Sequence, residues 1–171
     1  MKRKKAIIIL TILALFLCIG INKDFVTGTS KYRVIRVVDG DTFKVRYQGK
    51  NISVRLIGVD TPESVHRDTY RNTKWGKKAS QYTKKELTNQ MVCLQFDSAK
   101  YDKYGRLLAY VYVKDHGKYR MYNKKLVQKG YARAVCYEPN HKYKKEFALL
   151  QKQAKKQKLG FWKDGYKKAF P

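Results

Sequence analysis

The stretch RLIGVDTPE, from Arg55 to Glu63, brings an arginine and two carboxylates close together. These acids are scarce in this chain, which has 13 aspartates and glutamates against 39 lysines and arginines. Two other segments have similar contents, since VDGDTFK contains Asp41 and DKYGR ends at Arg106. Each segment alone is typical of a turn or a solvated loop. Together, the stretch Arg55–Glu63 and these two segments supply carboxylates and guanidinium groups from three places in the chain.

These residue types suit the cleavage of a phosphodiester. Hydroxide is repelled by this anion, and negative charge collects on the nonbridging oxygens in the transition state, so catalysis needs positive charge and a base together. The planar guanidinium group of an arginine has a fork of N–H groups that can donate two hydrogen bonds to a pair of phosphate oxygens. A hard divalent cation needs oxygen ligands, and a glutamate can take a proton from water. The candidates are Arg55, Arg106, Asp41, Asp60 and Glu63.

The formal net charge of +26 indicates a polyanionic partner, either nucleic acid or an anionic membrane or wall surface. The positive excess persists when residues 1–30 are set aside, because that segment has only five lysines and arginines and one aspartate. Charge retained for solubility alone is a weaker interpretation, because acidic residues serve solubility as well.

The amino-terminal residues are typical of a targeting segment. MKRKK precedes the apolar run AIIILTILALFLCIGI, the pattern of a secretory signal. We therefore predict a signal peptide or membrane anchor over 1–21 and a polar tether over 22–31. The run is short for a bilayer span of roughly 20 residues, and cleavage and retention both stay open. The domain would lie outside the cytoplasm in either case.

The pattern of apolar residues predicts an α+β fold with a mostly β core. Period-two alternation predicts five strands, at 32–38, 42–48, 51–59, 91–97 and 107–113. Helical spacing predicts three helices: one over 74–87, a short one that begins near 122 and is stopped by Gly130, and one from about 143 to near 160. Five short strands with tight turns and a helix before the fourth suit a small closed barrel of oligonucleotide-binding (OB) type. The predicted domain covers 32–163, with a carboxy-terminal tail at 164–171.

Two cysteines lie in the predicted domain, Cys93 and Cys136. One disulfide is possible outside the cell, and two unpaired thiols are an equal alternative. Neither cysteine, nor any of the three histidines, has the spacing of a zinc site.

Three blocks of the chain resemble the staphylococcal nuclease (thermonuclease) family, in order and at fitting separations: VDGDTFKV, VRLIGVDTPE and DKYGRLLAYVYV. The similarity runs from about Tyr32 to Trp162 and includes WGKKASQYTKK, LVQKGYA, YEPN and AKKQKLGFW. The resemblance implies the five-stranded OB-type barrel with three helices packed on it, in agreement with the pattern of apolar residues.

The resemblance also implies an activity. The activity would be that of a calcium-dependent extracellular nuclease, which hydrolyses DNA and RNA and leaves 3′-phosphates. We expect the protein to act as a monomer without an obligate protein partner. The implied calcium ligands are the carboxylates of Asp41 and Asp60 and the backbone carbonyl of Thr61. The implied catalytic residues are Arg55, Glu63 and Arg106. The implied substrate-binding residues are Lys103, Tyr104 and Tyr137.

One segment departs from the family pattern. An aromatic residue that stacks under the base is expected shortly before the Tyr-x-Pro-Asn motif. The corresponding RAVCYEPN is one residue shorter and has Val135 or Cys136 at that place, although Tyr137 is retained. Because base stacking is worth roughly 1–3 kcal/mol, we expect weaker substrate binding or an altered base preference, with the chemistry retained.

Two other functions fit part of these features. A catalytically silent nucleic-acid-binding OB module would use the same fold, and a basic surface protein could adhere to anionic wall polymers through charge alone. Neither function gains from carboxylates placed near a phosphate, so the set of acids favours the nuclease.

Overall fold

The computed structural model describes residues 30–64 and 72–171. The predicted leader over 1–21 and nearly all of the tether over 22–31 lie outside the described residues. Within the described ranges, no helix is both long and apolar enough to cross a membrane.

The core of the fold is a closed five-stranded barrel. The strands are β1 Lys31–Asp39, β2 Thr42–Tyr47, β3 Lys50–Leu56, β4 Val59–Asp60, β5 Met91–Gln95, β6 Leu107–Asp115, β7 Lys118–Met121 and β8 Arg133–Ala134. The barrel has the strand order β3-β2-β1-β5-β6, and parallel pairing of β3 with β6 closes it. Strand β7 extends the sheet beyond β6. The predicted OB-type α+β fold is therefore confirmed.

Three α-helices pack on the barrel within the described part of the chain: α1 Lys74–Leu87, α2 Tyr122–Gln128 and α3 Lys144–Lys156. Helix α1 begins after Thr73, whose side chain accepts a hydrogen bond from the Gly76 N–H as an N-cap. One face of α1 is buried, and its residues include Trp75, Ala79 and Leu87.

The second helix is short and stops before Gly130, as the sequence predicts. It ends at Gln128, and Gly130 has the positive φ of +67° that suits a helix C-terminus. Residues 133–134, beyond that stop, form strand β8, which the sequence pattern did not predict. Strand β8 pairs with β4, with Asp60 opposite Arg133. The sequence pattern also missed β7, because a four-residue strand gives little alternation to detect.

The third predicted strand is divided into β3 and β4. The break falls at Gly58, which has a φ of +78°. A Cβ atom there would lie 2.3 Å from the ring of Phe147 on α3. Glycine at this position therefore lets the chain turn and lets α3 pack against the barrel.

The segment 164–171, predicted as a tail, packs on the domain. Ala169 is buried in a cluster with Phe161 and Trp75. The indole Nε1 of Trp75 donates to the carboxylate of Asp164 at 2.9 Å. Cys93 and Cys136 are both free thiols, the first buried in β5 and the second partly exposed.

Candidate active site

The turn between β1 and β2 is fastened to the chain segment that follows β4. The Asp39 carboxylate accepts hydrogen bonds from the Gly40 N–H at 2.7 Å and from the Ser64 hydroxyl at 2.5 Å. A Cβ atom on Gly40 would lie 2.7 Å from the Thr61 hydroxyl oxygen, so only glycine allows this approach. Burial raises the pKa of Asp39. These contacts set the position of Asp41 relative to Thr61.

Asp41 is buried and held by three donors. Its Oδ2 accepts hydrogen bonds from the Thr61 N–H at 2.9 Å and the Thr61 hydroxyl at 3.0 Å. Its Oδ1 accepts from the Thr42 hydroxyl at 3.0 Å. The orientation of this carboxylate is therefore fixed before any ligand binds.

Arg55, near the end of β3, joins the two candidate carboxylates. Its Nη1 donates to the carbonyl oxygens of Leu56 at 3.0 Å and Val59 at 2.8 Å. Its Nη2 lies 3.1 Å from Asp41 Oδ2 and 3.1 Å from Asp60 Oδ1. The guanidinium thus shapes the turn between β3 and β4 and draws both carboxylates to one nitrogen.

Asp60 has a second arginine as partner. Arg133 lies opposite it across the β4–β8 pair, and its Nε and Nη2 lie 2.9 Å and 2.8 Å from Asp60 Oδ2. Burial raises the pKa of Asp60, and the nearby Asp41 charge raises it further, while Arg55 and Arg133 act in the opposite direction. Two carboxylates held this close repel one another, and the two guanidinium groups offset that repulsion.

The backbone of Glu63 is fixed by the start of α1. Its carbonyl oxygen accepts a hydrogen bond from the Thr73 N–H at 3.0 Å. A Cβ atom on Gly76 would lie 1.8 Å from the same oxygen, so the helix touches Glu63 through a glycine. The backbone of the predicted general base is thereby held against α1, three residues beyond the end of β4.

Arg106 lies in the turn before β6, and Asp102 organises that turn. The Arg106 Nε donates to Asp102 Oδ2 at 2.6 Å, and the backbone N–H groups of Tyr104 and Arg106 donate to Oδ1 at 2.9 Å and 3.0 Å. Burial favours a higher pKa for Asp102, but the hydrogen bonds from Arg106 and Tyr104 outweigh it and lower the pKa. The carboxylate is thus held ionised beside the guanidinium.

An open pocket of about 450 Å³ lies beside both predicted catalytic arginines. Arg55 and Arg106 line it, together with Asp102, Tyr101 and Tyr137. Tyr137 is 65% exposed at the pocket and can offer its ring to a ligand.

Lys103 and Tyr104 lie in the turn that contains Arg106, outside the pocket lining. The exposed Tyr104 ring has the Lys103 Nζ 5.1 Å and the Arg106 Cζ 5.4 Å from its centroid. This ring is therefore flanked by positive charge.

The structure thus brings Asp41, Arg55, Asp60 and Thr61 into direct contact. It places Arg106 and Tyr137 on the same pocket as Arg55. Sequence reasoning missed Arg133, and only the β4–β8 pairing reveals its contact with Asp60.

Among residues 30–64 and 72–171, no group of three or more His, Cys, Asp or Glu side chains is arranged to hold a metal ion. Two carboxylates and the backbone carbonyl of Thr61 are the oxygen donors predicted at this site. An OB-type barrel that sets paired carboxylates beside an arginine-lined pocket has the features of a phosphodiesterase.

Comparison with known proteins narrows this class. The family model described as staphylococcal nuclease homologue matches residues 53–164. A thermonuclease of Staphylococcus hyicus is 50% identical over 131 residues, which cover 77% of this chain and 75% of that protein. A thermonuclease of Staphylococcus intermedius is 49% identical over the same length and coverage. Endonuclease YncB of Bacillus subtilis is 42% identical over 134 residues, which cover 77% of this chain and 61% of the length of YncB.

The chain belongs to the staphylococcal nuclease family. The resemblance noted in the three sequence blocks is therefore confirmed, and the family is one of nucleases, hydrolases of phosphodiester bonds.

Proposed function

We propose that this protein is a calcium-dependent nuclease that hydrolyses phosphodiester bonds of DNA and RNA and leaves 3′-phosphates. The observation that carries the proposal is the convergence of Asp41 and Asp60 on one nitrogen of Arg55, beside a pocket that Arg55 shares with Arg106. This arrangement places oxygen ligands for a cation next to N–H groups that can donate hydrogen bonds to a phosphate.

The donor chemistry fits Ca²⁺. Asp41, Asp60 and the Thr61 carbonyl offer hard oxygens, which this cation prefers. Bound Ca²⁺ would place further positive charge beside the phosphate and orient water. Three protein donors are few for this ion, so we expect a free-enzyme Kd on the order of 10⁻⁴ to 10⁻³ M. Micromolar binding in calorimetry would contradict this ligand set.

The protein's own side chains perform the remaining steps in this proposal. Arg55 and Arg106 bind the phosphate and stabilise the charge that develops on its oxygens. Because Nη1 of Arg55 donates to two backbone carbonyls and Nη2 contacts Asp41 and Asp60, a phosphate that binds the Nε and Nη2 edge would have to replace a carboxylate contact of Nη2. Glu63 accepts a proton from the attacking water, or orients that water.

Substrate binding relies on charge and on aromatic rings in this proposal. The net charge of +26 attracts nucleic acid without regard to sequence. Tyr137 and Tyr104 offer exposed rings near the two arginines, and Lys103 adds a positive charge beside Tyr104. With Val135 and Cys136 at the place of the expected aromatic, base stacking depends more on these tyrosines.

The proposed site of action is outside the cytoplasm. Support comes from the basic residues and apolar run within 1–21, which favour export as a secreted protein or as one anchored on the outer membrane face. Amino-terminal sequencing of the mature protein, with cell fractionation, distinguishes the two forms. A mature protein found only inside the cytoplasm would contradict export.

Digestion of plasmid DNA tests the mechanism. Wild-type protein is incubated with Ca²⁺ or with a chelator, beside the variant Glu63→Gln and the matched control Glu146→Gln, whose carboxylate pairs with Lys124 on the helical side of the molecule. We expect digestion by wild type and by the control with Ca²⁺ only, and a loss of about 10²-fold or more in Glu63→Gln. Nicking that survives both the chelator and Glu63→Gln would refute the mechanism.

The products identify the bond that is broken. A 3′-phosphate blocks extension by a DNA polymerase until a phosphatase removes it, so we expect extension only after phosphatase treatment. Products that are extended directly would show that the other ester bond is cleaved. The same assay on RNA of matching sequence measures the preference between the two substrates.

A further inference from the structure

Arg133 is tied to Asp60 and to the carboxy-terminal segment at once. Two of its nitrogens bond to Asp60 Oδ2, at 2.9 Å and 2.8 Å. Its third nitrogen, Nη1, donates to the hydroxyl of Tyr166. Its guanidinium carbon lies 4.3 Å from the centroid of the Phe170 ring. All three nitrogens of the fork therefore have a partner, and one face of the fork lies on an aromatic ring.

The aromatic residues that surround Arg133 are themselves held in place. The rings of Tyr166 and Phe170 are stacked with centroids 5.1 Å apart, and Trp162 stacks on Tyr166 at 5.8 Å. Phe170 also meets the fully buried Phe161 edge to face at 5.4 Å. This carboxy-terminal aromatic cluster, Phe161, Trp162, Tyr166 and Phe170, is anchored to the domain.

We propose that Arg133 is a positioning residue for Asp60, and that Tyr166 and Phe170 hold Arg133 in place. The segment 164–171 would then set the calcium affinity of the active site, although it does not contact the pocket. This inference rests on the proposed function, in which Asp60 is a calcium ligand. With Oδ2 bound by Arg133, the carboxylate presents Oδ1 to Arg55 Nη2, which also contacts Asp41, and the proposed cation would bind on this side of Asp60.

The charge of Arg133 and its positioning role act on Ca²⁺ in opposite directions. A positive charge near the site repels the cation, whereas a fixed carboxylate binds it with less loss of freedom. A test must therefore hold the charge constant. Arg133→Lys keeps the charge and loses the fork, because an ammonium group is a point donor. Tyr166→Phe and Phe170→Leu leave Arg133 itself unchanged.

Calorimetric titration of the intact protein with Ca²⁺ alone gives the first readout. We expect Arg133→Lys to weaken binding about 10-fold, as losses of groups that orient metal ligands do. Tyr166→Phe and Phe170→Leu should each weaken it about 2–5-fold, as expected for one lost cation–π or hydrogen-bond contact. The matched control Tyr32→Phe, whose ring packs on Tyr47, should bind as wild type. Raising Ca²⁺ to saturation should restore kcat in the two tail variants.

The Arg133 Nε–H signal in a ¹⁵N spectrum gives a readout that needs no activity. It is assigned by its absence in Arg133→Lys. We expect slow exchange with solvent in wild type and faster exchange in Tyr166→Phe and Phe170→Leu. Unchanged Ca²⁺ affinity and unchanged exchange in folded tail variants, with only a lower Tm, would overturn the proposal.

Asp60→Asn separates this inference from the function on which it rests. If Asp60→Asn binds Ca²⁺ as wild type does, Asp60 is not a metal ligand, and the proposed effect of segment 164–171 on calcium affinity fails with that assignment. The exchange of the Nε–H then still decides whether the carboxy-terminal segment holds Arg133. If Asp60→Asn loses Ca²⁺ binding while the tail variants keep it, the metal assignment holds and the inference about the tail is overturned.

Discussion

Replacement of Gly76 by alanine is the sharpest probe of how the proposed general base is positioned. The added Cβ atom would lie 1.8 Å from the Glu63 carbonyl oxygen, 2.3 Å from its carbonyl carbon and 2.9 Å from the Pro62 carbonyl oxygen. All three are backbone atoms, so no side chain can turn aside. The helix and the Glu63 segment must separate by about 1 Å or more, and a misplacement of that size can cost about 10² in rate.

Two effects on stability partly cancel in this variant. Alanine favours the helix over glycine by about 0.8–1.0 kcal/mol, whereas overpacking costs typically 1–3 kcal/mol. We therefore expect Gly76→Ala to fold with a free energy of unfolding lower by up to about 2 kcal/mol, while kcat falls about 100-fold at saturating Ca²⁺ and substrate.

The assay measures kcat on plasmid DNA together with the Tm of each variant. Lys77→Ala, at the exposed next position of α1, serves as the matched control and should keep kcat near wild type. A folded Gly76→Ala protein with kcat within twofold of wild type would refute the reasoning. It would mean either that Glu63 tolerates displacement or that it is not the base.

Three further predictions concern other contacts of the site. Arg55→Lys should lower kcat about 10²–10³-fold, nearly as much as Arg55→Ala, because one ammonium cannot replace the fork; near-native kcat would remove Arg55 from its role. Gly58→Ala should lower the Tm by several degrees, since the new Cβ meets Phe147 at 2.3 Å on a backbone with φ of +78°; an unchanged Tm would contradict this packing. The pKa of Asp102 is lowered in the folded protein, so its ionised carboxylate stabilises the fold at pH values above its unfolded pKa. This stabilisation is lost as the pH falls through the folded pKa. Thermal unfolding from pH 6 to pH 2 should therefore show a smaller acid loss in Asp102→Asn than in wild type, and equal losses would exclude this contribution.

Much of the fold and of the candidate site was predictable from the sequence. The alternation of apolar residues located the five barrel strands, because the two faces of a strand must differ when only one is buried. The scarcity of acids in a basic chain made Asp41, Asp60 and Glu63 stand out, and the chemistry of phosphodiester cleavage gave them partners in Arg55 and Arg106. These are local patterns and residue types, which a sequence displays directly.

Contacts between distant segments were decided only by the tertiary structure. Arg133 meets Asp60 from 73 positions away, through a two-residue strand pair too short to leave a periodic signal. Gly76 touches Glu63 because a helix and a loop pack together, and a glycine in a sequence does not disclose what it approaches. The packing of 164–171 beneath Arg133 likewise depends on the closed barrel. Side-chain pairings of this kind follow from chain closure and packing, which involve the whole domain, so neither composition nor spacing contains them.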